Sequence, residues 1–323
     1  MNGSVKVRRL PALAPGDLVP EVRPLQAFGH ERPHEVSQPT PRDRGRERPI
    51  GQILHESGLI SSEEVDRILC HARASGIRFG EAAVALGLVR PSDLKMVLAY
   101  QFNLDLVRDG ECHIDREVIA AHESFHPVLD DLRALRDQLL LRWHAQQAPG
   151  VATLAVLGTQ RGDGRSFTAA NLAVTFAQVG LNVLLIDADL RHGRLHRMFG
   201  VDGSLGLSSV LSGRNARSAE VPVDGVKGLS LLACGGEPPN IADLMVGERF
   251  IALLRESAAS HDLVLLDTSA AASAPEALSI AARATGTLLV ARRGETRVGA
   301  LQTLAQQVRD VGGTSVGAVF AGA

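Results

Sequence analysis

The sequence predicts an α/β architecture: a doubly wound, mostly parallel sheet, preceded by a small all-helical domain and a disordered leader. Three observations carry that reading. Residues beyond 150 alternate short apolar runs with helical segments, residues 50–104 repeat themselves, and residues 1–49 hold eight of the fifteen prolines. The expected divisions are a Pro/Arg-rich leader at 1–47, a helical tandem repeat at 48–108, a connector and helix at 109–149, and the α/β domain at 150–323.

The leader ends in the charged stretch PRDRGRERP, and residues 1–49 carry nine Lys and Arg against six Asp and Glu. Such a segment cannot bury enough apolar surface to offset its ordering entropy, which predicts a solvated tail.

In the repeat, Ile50-Gly51 recurs as Phe79-Gly80, Gly58-Leu59-Ile60 as Gly87-Leu88-Val89, Val65 as Leu94 and Leu69 as Leu98, all at an offset of 29. Each copy reads as a short helix, a glycine turn and a capped second helix. Ser61 or Ser62 is the first cap and Ser92 the second. Two such hairpins packed together hide faces that neither buries alone.

Within DREVIAAHESFHPVLDDLRALRDQLLLRWHAQQAPG, the residues Leu129, Leu132, Leu139, Leu140 and Trp143 stand at helical spacings. One amphipathic helix is expected, ended by Pro149-Gly150, with Asp130, Arg133 and Arg136 on the opposite face.

The apolar runs 151–158, 183–187, 229–233, 263–267, 287–291 and 315–320 read as buried parallel strands. Helical segments at 166–178, 240–258, 275–284 and 297–311 separate most of them. Alternation of this kind places ligands at the carboxyl ends of the strands.

Composition narrows the function. Aromatics total eleven, namely nine Phe, Trp143 and Tyr100, so the core must be Leu, Val, Ile and Ala, and chemistry needing several tyrosines is excluded. A net charge of −2 gives no global field to attract nucleic acid or an anionic membrane. Cys70, Cys112 and Cys234 lack any metal-ligand spacing and fit reduced thiols packed as small hydrophobes. No signal peptide or spanning run is legible, which points to the cytoplasm and to a membrane role only through a partner.

Directly after the first strand stands Thr159-Gln160-Arg161-Gly162-Asp163-Gly164-Arg165-Ser166, followed by a helix from about Phe167. Glycines at such a turn let backbone N–H groups curl round a phosphate, and the helix N-terminus adds its positive end. Against G-x-x-x-x-G-K-[ST], Thr159 takes the first glycine position and Arg165 replaces the lysine, keeping the charge but placing it differently. Alone, the loop also fits a tight strand-to-helix turn.

Two acidic sites shift the balance. One strand ends in Leu185-Ile186-Asp187-Ala188-Asp189-Leu190-Arg191, another in Leu265-Leu266-Asp267-Thr268. Both put carboxylates at strand ends beside the loop, where Mg²⁺ would be held by Ser166, Asp267 and Asp187, directly or through water. Helix caps would explain one such Asp but not three.

The stretch GDGRSFTAANLAVTFAQVGLNVLLIDADLRHGRLHRMFG, with GLSSVLSGR, GGEPPNIADLM and HDLVLLDTS behind it, resembles the bacterial tyrosine kinases of capsular and exopolysaccharide assembly, in particular the chain-length-determinant tyrosine kinase EpsG branch. The match spans roughly residues 125–321. It implies a P-loop NTPase fold that binds ATP and Mg²⁺. Gly162, Asp163, Gly164, Arg165, Ser166 and Phe167 would hold the nucleotide, Asp187 and Asp189 would serve metal and hydroxyl activation, and Asp267 would bind Mg²⁺. The resemblance also implies that Arg191 steadies phosphate or interface carboxylates. Asp130, Arg133 and Arg136 match the family's E-x-x-R-x-x-R helix with Asp for Glu, which implies a head-to-tail homo-oligomer, although a solvated charged face explains them too.

Departures from the family are equally legible. Gln160 stands where partitioning and division-site ATPases carry a signature lysine, which argues against that branch. The family's autophosphorylated tyrosine cluster is missing, Tyr100 being the single tyrosine, so self-phosphorylation of the usual kind is not expected. The helical repeat resembles the N-terminal (MshEN-like) domain of type II secretion and pilus ATPases, some of which bind cyclic di-GMP. Its Arg-Leu-Gly element corresponds to Arg78-Phe79-Gly80 but to Pro49-Ile50-Gly51 in the first copy, and the closing Gln is Gln101 but Ala72 in the first.

The reading that follows is a cytoplasmic Mg-ATP-binding regulator of exopolysaccharide polymerisation or export. It would be recruited to the inner membrane by a chain-length-determinant (polysaccharide co-polymerase) protein. Two alternatives stand beside it: an active tyrosine kinase working on a partner in trans, and a cyclic di-GMP or protein-interaction module on a nucleotide-independent scaffold. Whether the chain is an enzyme stays open at this level.

Overall fold

The computed structural model describes residues 49–56, 58–91, 93–94, 113–123, 126–213 and 219–322. The leader, Ser92, Leu98, Tyr100, Gln101 and Cys112 lie outside the described residues. The chain divides into two compact units between Val89 and Arg90.

The first unit holds α1 (Ile50–Glu56), α2 (Ser62–Ser75) and α3 (Phe79–Ala85). Ser61 caps α2 in a capping box with Glu64, and Gly76 ends it at φ 66°. The repeat is visible in the backbone. Leu59 N–H and Ile60 N–H donate to Leu54 O, and 29 residues on Leu88 and Val89 donate to Ala83 O, around Gly58 and Gly87 at φ 72° and 67°. Gly51 lies against Phe79, whose ring a Cβ at 51 would approach to 3.0 Å, so the two copies meet where they correspond. Cys70 is exposed, contrary to a packed thiol, because it falls on the outer face of α2.

The second unit holds a seven-stranded sheet in the order β3-β4-β2-β5-β1-β6-β7. The strands are β1 (Thr153–Gly158), β2 (Val183–Asp187), β3 (Glu220–Pro222), β4 (Leu229–Leu232), β5 (Leu263–Asp267), β6 (Gly286–Arg292) and β7 (Ser315–Ala321). All neighbours are parallel except β3 and β4. Six strands fall on the expected apolar runs. The short β3 does not, being half-exposed and ending in a proline suited to an edge.

Alternate residues of the central strands enter two separate cores. Leu154, Val156, Leu263 and Leu265 belong to one, and Ala155, Leu157, Val264 and Leu266 to the other. The first core is completed by α5 (Pro127–Arg142) and α6 (Arg165–Gln178), the second by α10 (Glu248–Ser260), α11 (Glu276–Ala281) and α12 (Val298–Asp310). Both faces are therefore covered, as the doubly wound reading requires.

Two expected helices are divided differently, and two short ones were not expected. The segment before β1 forms α4 (Ile119–His122), then α5, then a 3₁₀ turn at His144–Gln146. His126 caps α5 by accepting from Val128 N–H, with Pro127 in the first turn. The helix stops at Arg142, short of Pro149, because Trp143 leaves helical geometry and its Nε1 donates to Thr285 O at the edge of β6. The segment 240–258 breaks at Gly247 into α9 (Ile241–Val246) and α10. Between β2 and β3 lie α7 (Leu195–Met198) and α8 (Leu207–Leu211).

Candidate functional site

The loop from Thr159 to Ser166 joins the end of β1 to α6, and Gly162 and Gly164 adopt φ values of 92° and 94°, open to glycine and costly for other residues. Gly164 also packs so closely that a Cβ would lie 2.7 Å from the Ala321 Cβ at the end of β7. These two positions bend the backbone so that the start of α6 faces the cleft.

What fixes the loop is Asp163. Its carboxylate is fully buried and accepts from Thr159 Oγ1 (2.9 Å), Gln160 N–H (2.9 Å) and Thr296 Oγ1 (2.8 Å). The Thr296 hydroxyl in turn accepts from Arg292 N–H at 2.7 Å, tying the loop to the end of β6. The side chain is thus spent inside the loop, and only the backbone N–H of Asp163 is left for an anion. This role was not legible from the sequence, since Thr296 is 133 residues away.

Arg165 is also buried, with Nη1 donating to Gln160 O at 3.1 Å and Nε enclosed without a partner. It folds back under the loop instead of reaching into solvent.

Below the loop stand the acidic residues. Asp187 and Asp267 are register partners at the ends of β2 and β5, both buried. Asp187 Oδ1 accepts from Asp189 N–H (3.3 Å) and Oδ2 from Leu195 N–H (3.0 Å). Neither oxygen of Asp267 has a hydrogen-bond partner of good geometry. Burial pushes Asp267 up to about 6, against the lowering pull of the nearby Ser166 hydroxyl and the Arg165 guanidinium. Burial, and then the Asp267 charge, hold Asp187 well above the usual carboxylate range.

Asp189 faces a cleft of about 520 Å³ lined also by Gly162, Gly164, Ser166, Arg161, His192, Arg194 and Arg197. Its Oδ1 accepts from Ser269 Oγ (2.8 Å) and from His192 N–H (3.0 Å). A second cleft of about 290 Å³ opens on the other side of the loop, between Gly162, Gly164 and Phe167 and the strand ends at Arg292, Ala321 and Gly322. The structure therefore brings together Gly162, Gly164, Arg165, Ser166, Phe167, Asp187, Asp189 and Asp267 around one loop. Arg191 turns away from the loop to pair with the buried Glu276 of α11.

On α5, Asp130 is turned outward and lies 3.5 Å from Arg133, whereas Arg136 is largely buried. Arg136 pairs with Asp137 and donates to Thr175 O of α6 at 3.3 Å. The three residues therefore do not share one exposed face, because α5 packs on α6 along the side that carries Arg136. In the helical unit, Arg78 is exposed at the start of α3, its N–H donating to Glu81 Oε2, and Gly80 is half-buried two residues on. Among the described residues no helix is long and apolar enough to cross a membrane.

No protein-family model matches the chain. It is 34% identical over 194 residues to the putative tyrosine-protein kinase EpsB of Ralstonia nicotianae, covering 60% of this chain and 25% of that protein. It is 40% identical over 135 residues to the tyrosine-protein kinase YwqD of Bacillus subtilis, covering 42% of this chain and 57% of the relative. The chain thus spans about a quarter of the length of the first relative. Among solved structures, the BceF tyrosine kinase domain superposes with a TM-score of 0.54 at 32% identity, over 60% of this chain and 77% of that domain. At 32% identity over more than two thirds of that kinase domain, the chain belongs to the bacterial tyrosine-protein kinase family.

Proposed function

We propose that this chain is a cytoplasmic Mg-ATP-binding regulator of exopolysaccharide polymerisation or export, recruited to the inner membrane by a chain-length-determinant (polysaccharide co-polymerase) protein. The observation that carries the nucleotide part is Asp267. Both of its oxygens are buried and unpartnered beside Ser166 and opposite Asp187, an arrangement that a divalent cation would satisfy. Ser166, Asp267 and, through water, Asp187 would hold that Mg²⁺, which when bound neutralises phosphate charge.

The chain's own residues then divide the work. Backbone N–H groups from Gly162 to Phe167 cradle phosphate, with the start of α6 behind them. Arg165 supplies positive charge from beneath, where its Nε is already enclosed and unpaired. Base and ribose fit the smaller cleft between Phe167 and Arg292. Occupancy would then be sensed by the membrane partner and, through the outward Asp130 and its partner Arg133, by a second copy of the chain.

A second reading, phosphoryl transfer to a partner's tyrosine, is favoured by Asp189 lining a cleft that also holds Arg161, His192, Arg194 and Arg197. Asp189 would orient the acceptor hydroxyl. Incubation with labelled ATP and the membrane partner separates the two. Label on the partner that Asp189→Asn abolishes supports the kinase, and an unlabelled partner supports the regulator. For the helical unit, the exposed Arg78 beside Gly80 supports a cyclic di-GMP or docking role. Calorimetric titration with cyclic di-GMP, before and after Arg78→Ala, tests it.

A further inference from the structure

Beside the acidic pair lies a cluster of which the nucleotide reading uses only Asp187. A carboxylate oxygen of Asp187, a ring nitrogen of His196 and the Cys234 Sγ lie within 4.8 Å of one another. Three separate elements deliver them: Asp187 ends β2, His196 is on α7, and Cys234 follows the neighbouring strand β4. Asp187 and Cys234 are buried, and His196 Nδ1 is enclosed without a hydrogen-bond partner. Gly193 closes over the group, where a Cβ would come within 2.4 Å of Cys234 Sγ and 2.8 Å of Asp187 Oδ2. Only a glycine leaves the carboxylate and the sulfur facing each other.

Sulfur, imidazole nitrogen and carboxylate oxygen together are a donor set for Zn²⁺ and its transition-metal neighbours, bound at roughly 2.0–2.3 Å per ligand. Tetrahedral donors at those lengths stand roughly 3.3–3.8 Å apart, so the cluster needs to close by about 1 Å, within reach of side-chain rotation at Cys234 and His196. Mg²⁺ prefers oxygen and would not select this set. The two kinds of ion therefore sort to opposite sides of one shared carboxylate, Asp187.

We propose that Asp187, His196 and Cys234 form a binding site for a thiolate-preferring divalent metal of the Zn²⁺ class, and that filling it withdraws Asp187 from the nucleotide site. On binding, the Cys234 thiol gives its proton to solvent as the sulfur–metal bond forms, His196 and Asp187 donate lone pairs, and no electron is transferred. The first half stands on the cluster alone. The second half rests on the nucleotide reading above.

The test uses the full chain titrated with Co²⁺, whose bond to a thiolate gives a charge-transfer absorption in the near ultraviolet. The band should appear at one equivalent, persist in Cys70→Ala and Cys112→Ala, and vanish in Cys234→Ala and in the volume-conserving Cys234→Ser. His196→Gln should weaken it by roughly tenfold or more. Emission from Trp143 checks that each variant is folded. No band in the wild type, or a band that survives Cys234→Ser, overturns the site. In the second arm, one equivalent of Zn²⁺ should weaken Mg-ATP binding roughly tenfold in the wild type and leave Cys234→Ala unaffected. Equal weakening in both overturns the competition. Absence of Mg-ATP binding in either overturns the competition together with the nucleotide reading, and leaves the Co²⁺ result to decide the site.

Discussion

Asp187 and Asp267 are register partners at the carboxyl ends of adjacent parallel strands, both enclosed, with no cation of the chain paired to either at hydrogen-bonding distance among the described residues. Two carboxylates in that position oppose folding when ionised. The site is therefore a place where ionised carboxylates cost stability unless a cation is bound.

The sign of that loss can be measured. Asp267 in the fold is raised to about 6, above its ordinary value, so the native state holds a proton that the unfolded chain has already released. The Asp267 contribution to wild-type stability should fall as pH rises from about 4 to about 6, and Asp187, also raised, adds a further loss of the same sign. Asp267→Asn should reduce this dependence to the part that Asp187 contributes, and raise the Tm of the ligand-free protein at pH 7 by roughly 3 °C or more, read by thermal unfolding on Trp143 emission.

Asp163→Ala leaves Thr159, Gln160 and Thr296 without their shared acceptor. Equilibrium urea unfolding should show a loss of about 2–4 kcal/mol. Nucleotide affinity should fall as well, because the loop is no longer preformed. An unchanged midpoint would show that the carboxylate does not hold the loop.

Gly164→Ala forces a Cβ into the Ala321 side chain at a φ of 94°. The expected cost is about 1–3 kcal/mol, with strongly reduced nucleotide binding. The companion change Ala321→Gly removes the clash and should recover part of the stability but not the strain, which a double-mutant cycle separates.

On α5, Arg136 and Asp130 should behave differently. Arg136→Ala should destabilise the α/β unit by about 1–2 kcal/mol, since it removes the contact to Thr175 O that joins α5 to α6. Asp130→Ala should leave the unfolding midpoint in place and lower the apparent mass in analytical ultracentrifugation if this end of the helix joins two copies. A midpoint that moves equally in both variants would place Asp130 in the fold instead.

The sheet was legible because its strands are buried on both faces and so appear as unbroken apolar runs. That signal fails for β3, which is three residues long, half-exposed and ends in Pro222. It also fails at Gly247, whose extended backbone splits one apparent helix into two although the apolar spacing continues across it. In the site, Asp187, Asp189 and Asp267 were recognisable by their place after apolar strands, and the glycine loop by its place before a helix. The buried roles of Asp163 and Arg165 were not, since a loop carboxylate or guanidinium reads as solvated until its distant partners are known. The approach of His196 and Cys234 to Asp187 depends on strand order, which no local pattern encodes.

The most direct measurement of the central claim is isothermal titration of the full chain with ATP, with and without Mg²⁺, in the wild type and in Asp267→Ala. The account predicts binding in the wild type that Mg²⁺ strengthens by at least roughly tenfold, equivalent to about 1.4 kcal/mol. In Asp267→Ala that Mg²⁺ dependence should be gone. Wild-type protein that binds no ATP, or binds it equally well without Mg²⁺ and without Asp267, would contradict the claim.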